Sequence, residues 1–184
     1  MSAPRRIAIG ADHGGFDLKT SLVAYLQSAG YQVEDVGTSS REAVDYPVFA
    51  QAVANAVSKG RVDVGIMIDG AGIGSCMAAN KIQGVRAAMA YDLSSARNSR
   101  EHNNANLLTL GAGLIGPGLA QQIVDVWLAT ECTEPRHLKR VSMFGDSAVS
   151  QGQANRGIVD QSSTNEDLSE QDIERVVNRL HQII

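Results

Sequence analysis

Four short stretches carry residues that could do chemistry. In DGAGIG (69–74) an acidic residue is followed by Gly70, Gly72 and Gly74. Alternate glycines let a backbone come close to a ligand, and successive N–H groups can then face an anion. GSCMAANK (74–81) reads as a short helix, whose N-terminal end adds partial positive charge. A carboxylate, Asp69, therefore stands at the mouth of an anion-holding turn. The glycines alone also fit a bare tight turn. Their spacing is neither the dinucleotide fingerprint nor a Walker loop.

GADHGG (10–15) places Asp12 and His13 at the end of an apolar run, and SREHNNAN (99–106) places His102 and Asn103 just before another. PRHLKR (135–140) offers Arg136, His137 and Arg140. Arginines four apart share a face if the segment is helical, and two guanidiniums suit a phosphate. A single arginine is usually a solvated charge, and a single histidine a satisfied polar group. Here three of the chain's four histidines fall within these stretches.

The segments between them must position these groups. RIAIGAD (6–12), YQVEDVG (31–37), VGIMID (64–69), VRAAMA (85–90) and NLLTLGAG (106–113) read as strands. Residues 16–30, 46–60, 74–81, 92–103 and 116–131 read as helices, with Pro47 in the first turn of the second. Strict alternation predicts an α/β fold: a five-stranded parallel sheet covered on both faces. Ligands of such sheets sit at the carboxyl ends of the strands, here Asp12, Val36–Gly37, Asp69, Ala90 and Gly111.

The chain has 184 residues, 43% of them hydrophobic, and a formal net charge of −4. That suits one packed domain (1–146) with an appendage. Without a basic run, nucleic acid and anionic membrane are not expected partners, so phosphate binding must come from a local site. No apolar run reaches the ~20 residues of a membrane span, and the one in MSAPRRIAIG is too short for a signal peptide. Cys76 and Cys132 give neither a disulfide framework nor metal spacing; reduced thiols in the cytoplasm are expected. Residues 147–167, rich in Ser, Gln, Asn and Gly, read as a flexible linker. Residues 168–184 read as an amphipathic helix, with Ile173, Val176, Val177, Leu180 and Ile184 on one stripe.

GADHGG, DYP (45–47), DGAGIG with AANK (78–81), REHNNAN (100–106) and RH (136–137) with Arg140 together resemble the ribose-5-phosphate isomerase B family, the group that includes the galactose-6-phosphate isomerase subunits. The resemblance spans roughly residues 5–146. It implies a Rossmann-like three-layer α/β/α sandwich and an aldose–ketose isomerase that needs no metal or cofactor. It also implies a dimer or tetramer whose active sites lie between subunits. By the same resemblance His102 opens the sugar ring, and a base moves a proton between C1 and C2 through an enediolate. Main-chain N–H groups of Gly70, Ala71, Gly72, Ile73 and Gly74 hold the oxyanion. Asp12, His13, Tyr46 and Asn103 contact the sugar, and Arg136, His137 and Arg140 the phosphate.

The chain departs from that pattern at the base. One branch of the family carries a cysteine base at the position of Asp69; another uses a glutamate six residues later, where this chain has Ser75. Cys76, one residue on, is expected to face elsewhere. Asp69 is then the expected base, since a strand-end carboxylate beside a glycine anion hole has the right chemistry. Ala71 replaces a common small hydroxyl residue, and Gly113 an arginine that reaches a neighbouring subunit's phosphate. Three functions are open: a ribose 5-phosphate isomerase, an isomerase of another four- to six-carbon sugar phosphate, and a sugar-phosphate-binding subunit without catalysis. The tail resembles the encapsulation peptides of bacterial microcompartment enzymes, which implies a shell or cargo partner and a place inside such a compartment. The alternative is that it packs on its own dimer, or merely frays.

Overall fold

The structure is a computed structural model that describes residues 6–144. Five strands, β1 (Arg6–Ala11), β2 (Gln32–Asp35), β3 (Val64–Asp69), β4 (Ala87–Met89) and β5 (Leu107–Gly111), form one parallel sheet in the order β2-β1-β3-β5-β4. Helices α1 (Phe16–Ser28), α2 (Tyr46–Ser58), α3 (Ile73–Ala79), α4 (Leu93–Glu101), α5 (Pro117–Ala129) and α6 (Pro135–Val141) connect or follow the strands. The α/β sandwich expected from the alternation is what forms. The linker and amphipathic helix expected over 147–184 lie outside the described residues.

The period of two along each strand divides the core. Ile7, Ile9, Ile66, Ile68, Leu108 and Leu110 face one side, where they pack with Leu22 and Leu26 of α1 and Ile123, Val124 and Trp127 of α5. Ala8, Met67 and Leu107 face the other, with Ala50, Val53 and Ala54 of α2. Each fully buried Ile or Leu contributes about 1.5–3 kcal/mol. The α2 side is lined by small residues: a Cβ at Gly10 would lie 2.7 Å from Val53, and one at Gly65 2.6 Å from it. These glycines let α2 settle onto the sheet, which fixes Tyr46 at its N-terminus.

Strand order puts the functional crevice in a definite place. From β1 the chain leaves to β2 on one side, then returns to β3 on the other. The carboxyl ends of β1 and β3 therefore flank the topological switch point, where open α/β sheets bind ligands. β1 ends before Asp12 because that residue turns to cap the 3-10 turn His13–Gly15. Helix α6 is a local surprise. Its seven residues are too few for periodicity to announce a helix, although Pro135 supplies a good first position.

Candidate active site

At the switch point Asp69 ends β3 and is 5% exposed. Its Oδ1 accepts the N–H groups of Ala71 (2.9 Å) and Gly72. Its Oδ2 accepts the N–H (3.1 Å) and the hydroxyl of Ser75. An ionised carboxylate has about four acceptor positions, so all are occupied. The turn exists because Gly72 takes a φ of +79°, a left-handed conformation that side chains disfavour, and so caps α3. The N–H groups of Ala71 and Gly72 are thus turned to Asp69. Those of Gly70, Ile73 and Gly74 have no acceptor among the described residues.

Asp12, which directly follows β1, is also buried, and its Oδ1 accepts the N–H of Gly15 at 3.0 Å. His13 is exposed; its Nδ1 accepts the N–H of Val44 at 3.2 Å, so the neutral ring carries its proton on Nε2. Tyr46 lies over the loop: a Cβ at Gly74 would sit 2.6 Å from its ring. Asp12, His13, Tyr46 and residues 69–74 therefore share one end of the sheet. Cys76 turns away from it. Its Sγ donates to the carbonyl of Ala87 at 3.3 Å, and burial pushes the thiol up from its ordinary value. A raised thiol is a poor source of thiolate.

His102 and Asn103 lie elsewhere. They follow α4 and precede β5, at the amino end of the sheet. Arg100 pins this corner by donating to Thr130 O (3.1 Å) and Ala105 O, with its guanidinium 4.9 Å from the ring of Trp127. Helix α6 packs here too. His137 is 3% exposed, and its ring stacks on that of His102, with centroids 4.2 Å apart and 22° between planes. Arg136 and Arg140 sit exposed on the same helix, and neither forms an ion pair among the described residues. Burial first, then His102, Arg136 and Arg140, push His137 below the usual imidazole range, with Glu134 opposing.

The two groups stand at opposite edges of one sheet. Asp69 pairs with Gly111 at the last position of β5, whereas His102 comes before its first. At about 3.3 Å per residue the intervening strand spans roughly 15 Å. A single chain thus presents two separate clusters. One holds carboxylates and a row of N–H donors, the other imidazoles and unpaired arginines. Among the described residues no group of three His, Cys, Asp or Glu converges as a metal site.

A ribose/galactose isomerase family model matches residues 7–144. The chain belongs to that family. It is 47% identical over 137 residues to ribose-5-phosphate isomerase B of Escherichia coli, covering 74% of this chain and 92% of that one. It is 44% identical over 126 residues to D-erythrulose-4-phosphate isomerase of Pectobacterium atrosepticum, covering 68% and 83%. The structure of ribose-5-phosphate isomerase B from Clostridium thermocellum superposes with a TM-score of 0.76 at 46% identity, covering 80% of this chain and 99% of that one. The family's fold is therefore complete within the described residues. The sequence motifs mark residues of both clusters, whereas Ser75 stands out in the sequence only as a departure from the family pattern. Its position six residues after Asp69, within the first turn of a helix, was the available signal for their contact.

Proposed function

We propose that this chain interconverts ribose 5-phosphate and ribulose 5-phosphate at sites assembled from two copies of itself. The observation that carries this reading is the division of the site residues into two complementary clusters. A two-fold axis that sets one cluster against the other does so twice, giving two equivalent sites. The substrate has matching polarity. Its C5 phosphate adjoins C4, which bears the ring oxygen, while C1 and C2 lie at the far end.

In this reading Arg136 and Arg140 grip the phosphate and Asn103 the nearby oxygens. His102 gives a proton to O4 as the C1–O4 bond breaks, and the C1 hydroxyl loses its proton to leave an aldehyde. Asp69 of the other copy then takes the C2 proton, and N–H groups of Gly70, Ile73 and Gly74 hold the enediolate oxygen. The hydroxyl proton passes from O2 to O1, and the proton held by Asp69 returns to C1 as the carbonyl forms at C2. Asp12, His13 and Tyr46 orient the sugar. The sequence is redox-neutral within the substrate, so nothing in it calls for a cofactor.

The test is a panel of sugar phosphates, aldoses and ketoses, run on wild type and Asp69→Asn, with exchange of the aldose C2 hydrogen followed in deuterated water. Turnover of ribose 5-phosphate, lost in the variant, is expected. Near-normal turnover by Asp69→Asn would sink Asp69 as the base, and absence of any exchange in wild type would leave a binding subunit. The relative named for D-erythrulose 4-phosphate favours a second reading, a four-carbon ketose phosphate as substrate. A higher kcat/KM for that member of the panel would establish it.

The tail is read as an address. An isolated helix of this length is marginal and gains stability by burying its stripe on a partner. We propose that residues 168–184 bind a shell or cargo protein of a bacterial microcompartment within the cytoplasm. Deleting residues 160–184 should leave turnover intact and abolish co-assembly. Continued co-purification of the truncated chain with shells would refute it.

A further inference from the structure

We propose that His137 is a positioning residue that holds His102, the acid for ring opening, by lying flat beneath its imidazole, and that it leaves the phosphate to Arg136 and Arg140. The inference rests on the ring-opening reading above and assigns a separate task to one residue of that cluster.

His137 is the buried residue of α6. The arginines before and three after it are exposed, so the helix presents charge outward and this ring inward. The contact with His102 is face to face, 4.2 Å between centroids and 22° between planes. Such a contact uses the π-faces and engages neither nitrogen of His102. Both stay available for the sugar; Glu101 Oε1, at 3.9 Å from Nε2, is the nearest charged oxygen to them among the described ion pairs. His102 sits at the C-cap of a nine-residue helix with 42% of its side chain exposed. Without a floor it would sample several rotamers, and an acid misplaced by about 1 Å can lose up to 10²-fold in rate.

Charge points the same way. Burial, His102, Arg136 and Arg140 all favour an uncharged His137. A neutral His137 adds no like charge beneath the ring that faces the sugar.

The chemistry supplies a clean separation. Ribose 5-phosphate must be opened before its C2 proton can move. Ribulose 5-phosphate is already acyclic, because O5 carries the phosphate and cannot close a five-membered ring. Wash-in of solvent deuterium at C1 of ribulose 5-phosphate therefore needs Asp69 and the oxyanion donors but not the ring-opening acid. The experiment measures ribose 5-phosphate turnover, this wash-in, and inhibition by inorganic phosphate, for wild type, His137→Ala and His137→Phe. The alanine variant is expected to slow turnover about tenfold or more while wash-in stays near wild type. The phenylalanine variant restores most of the turnover, because a flat ring rebuilds the floor without an N–H. Phosphate inhibition stays unchanged in both.

Wild-type turnover in His137→Ala would overturn the proposal. So would a His137→Phe variant as slow as His137→Ala with weakened phosphate inhibition, which would make His137 a phosphate ligand. A wash-in that falls in step with turnover would make it a prop for the whole site and would also overturn the assignment. Failure of the underlying reading looks different: His102→Ala would then turn over ribose 5-phosphate normally.

Discussion

Ser75 gives both its N–H and its hydroxyl to one oxygen of Asp69, and both residues are buried. Three of the four donors to Asp69 are backbone N–H groups fixed by the turn and by the first turn of α3. The Ser75 hydroxyl is the one donor on a rotatable bond. A carboxylate that is to take a proton must free an acceptor position, and this hydroxyl can release one without moving the backbone. Its alternative acceptors are the carbonyls three and four residues earlier.

Ser75→Ala leaves a buried carboxylate oxygen one donor short. A hydrogen bond to a charged group contributes about 1.5–3 kcal/mol, so unfolding in urea at pH 7 should show a loss of that order. Ser75→Thr keeps the hydroxyl and should retain most of the stability. Equal midpoints for Ser75→Ala and wild type would show that the hydroxyl contributes nothing to the loop.

The opposite placement of Asp69 and His102 makes a sharper prediction about assembly. Asp69→Asn and His102→Asn are each expected to be inactive alone. Mixed after dissociation, they form hybrids with one doubly defective site and one intact site. Random pairing of a two-fold dimer makes about half of the dimers hybrids, so about one quarter of wild-type activity should return. Denaturant-assisted exchange followed by assay of the mixture checks this. A mixture no more active than its components would place Asp69 and His102 in separate functions.

That placement was partly legible in the sequence. Asp12 and Asp69 follow apolar runs, whereas His102 and Asn103 precede one, so in a parallel sheet they must lie at opposite edges. The type and order of the strands and of the first five helices followed from short apolar runs rich in β-formers alternating with segments of helical character. The pairing of β5 between β3 and β4 did not, because nothing local in NLLTLGAG records its neighbours. Helix α6 was too short to show a period, and with it the His102–His137 stack stayed hidden. The Asp69 contacts were hidden for another reason: a carboxylate that turns back on its own loop looks, in sequence, like one that faces a ligand.

Gly113 bears on attempts to rebuild the arginine that the family resemblance places there. Its N–H donates to the carbonyl of Gly70 at 2.9 Å, and a Cβ at 113 would stand 2.9 Å from that same oxygen. Any side chain must push the glycine loop at its first residue. Gly113→Arg is therefore expected to lower stability by about 1–3 kcal/mol and to lower kcat/KM for ribose 5-phosphate rather than raise it. Thermal unfolding and steady-state assays read both. A gain in kcat/KM would mean that the loop yields easily and that the missing cation limits binding.

His137 also gives the fold a pH dependence with a defined sign. Its folded value lies below the ordinary 6.5. As pH falls through about 6.5 the unfolded chain takes up a proton that the folded chain refuses, and stability declines. Above that range the residue contributes nothing to the slope. Asp92 works in the same direction but much lower, because the N–H and hydroxyl of Ser95 hold its carboxyl below the ordinary 3.8. The Asp92 loss begins well below the pH at which the His137 loss begins. Urea midpoints at pH 7.5 and 5.5 should therefore drop more for wild type than for His137→Phe, which keeps an aromatic ring in the stack and removes the titrating nitrogen. Equal drops would mean that His137 takes up its proton as readily in the folded protein as in the unfolded chain, and that its ring is not the neutral floor on which His102 rests.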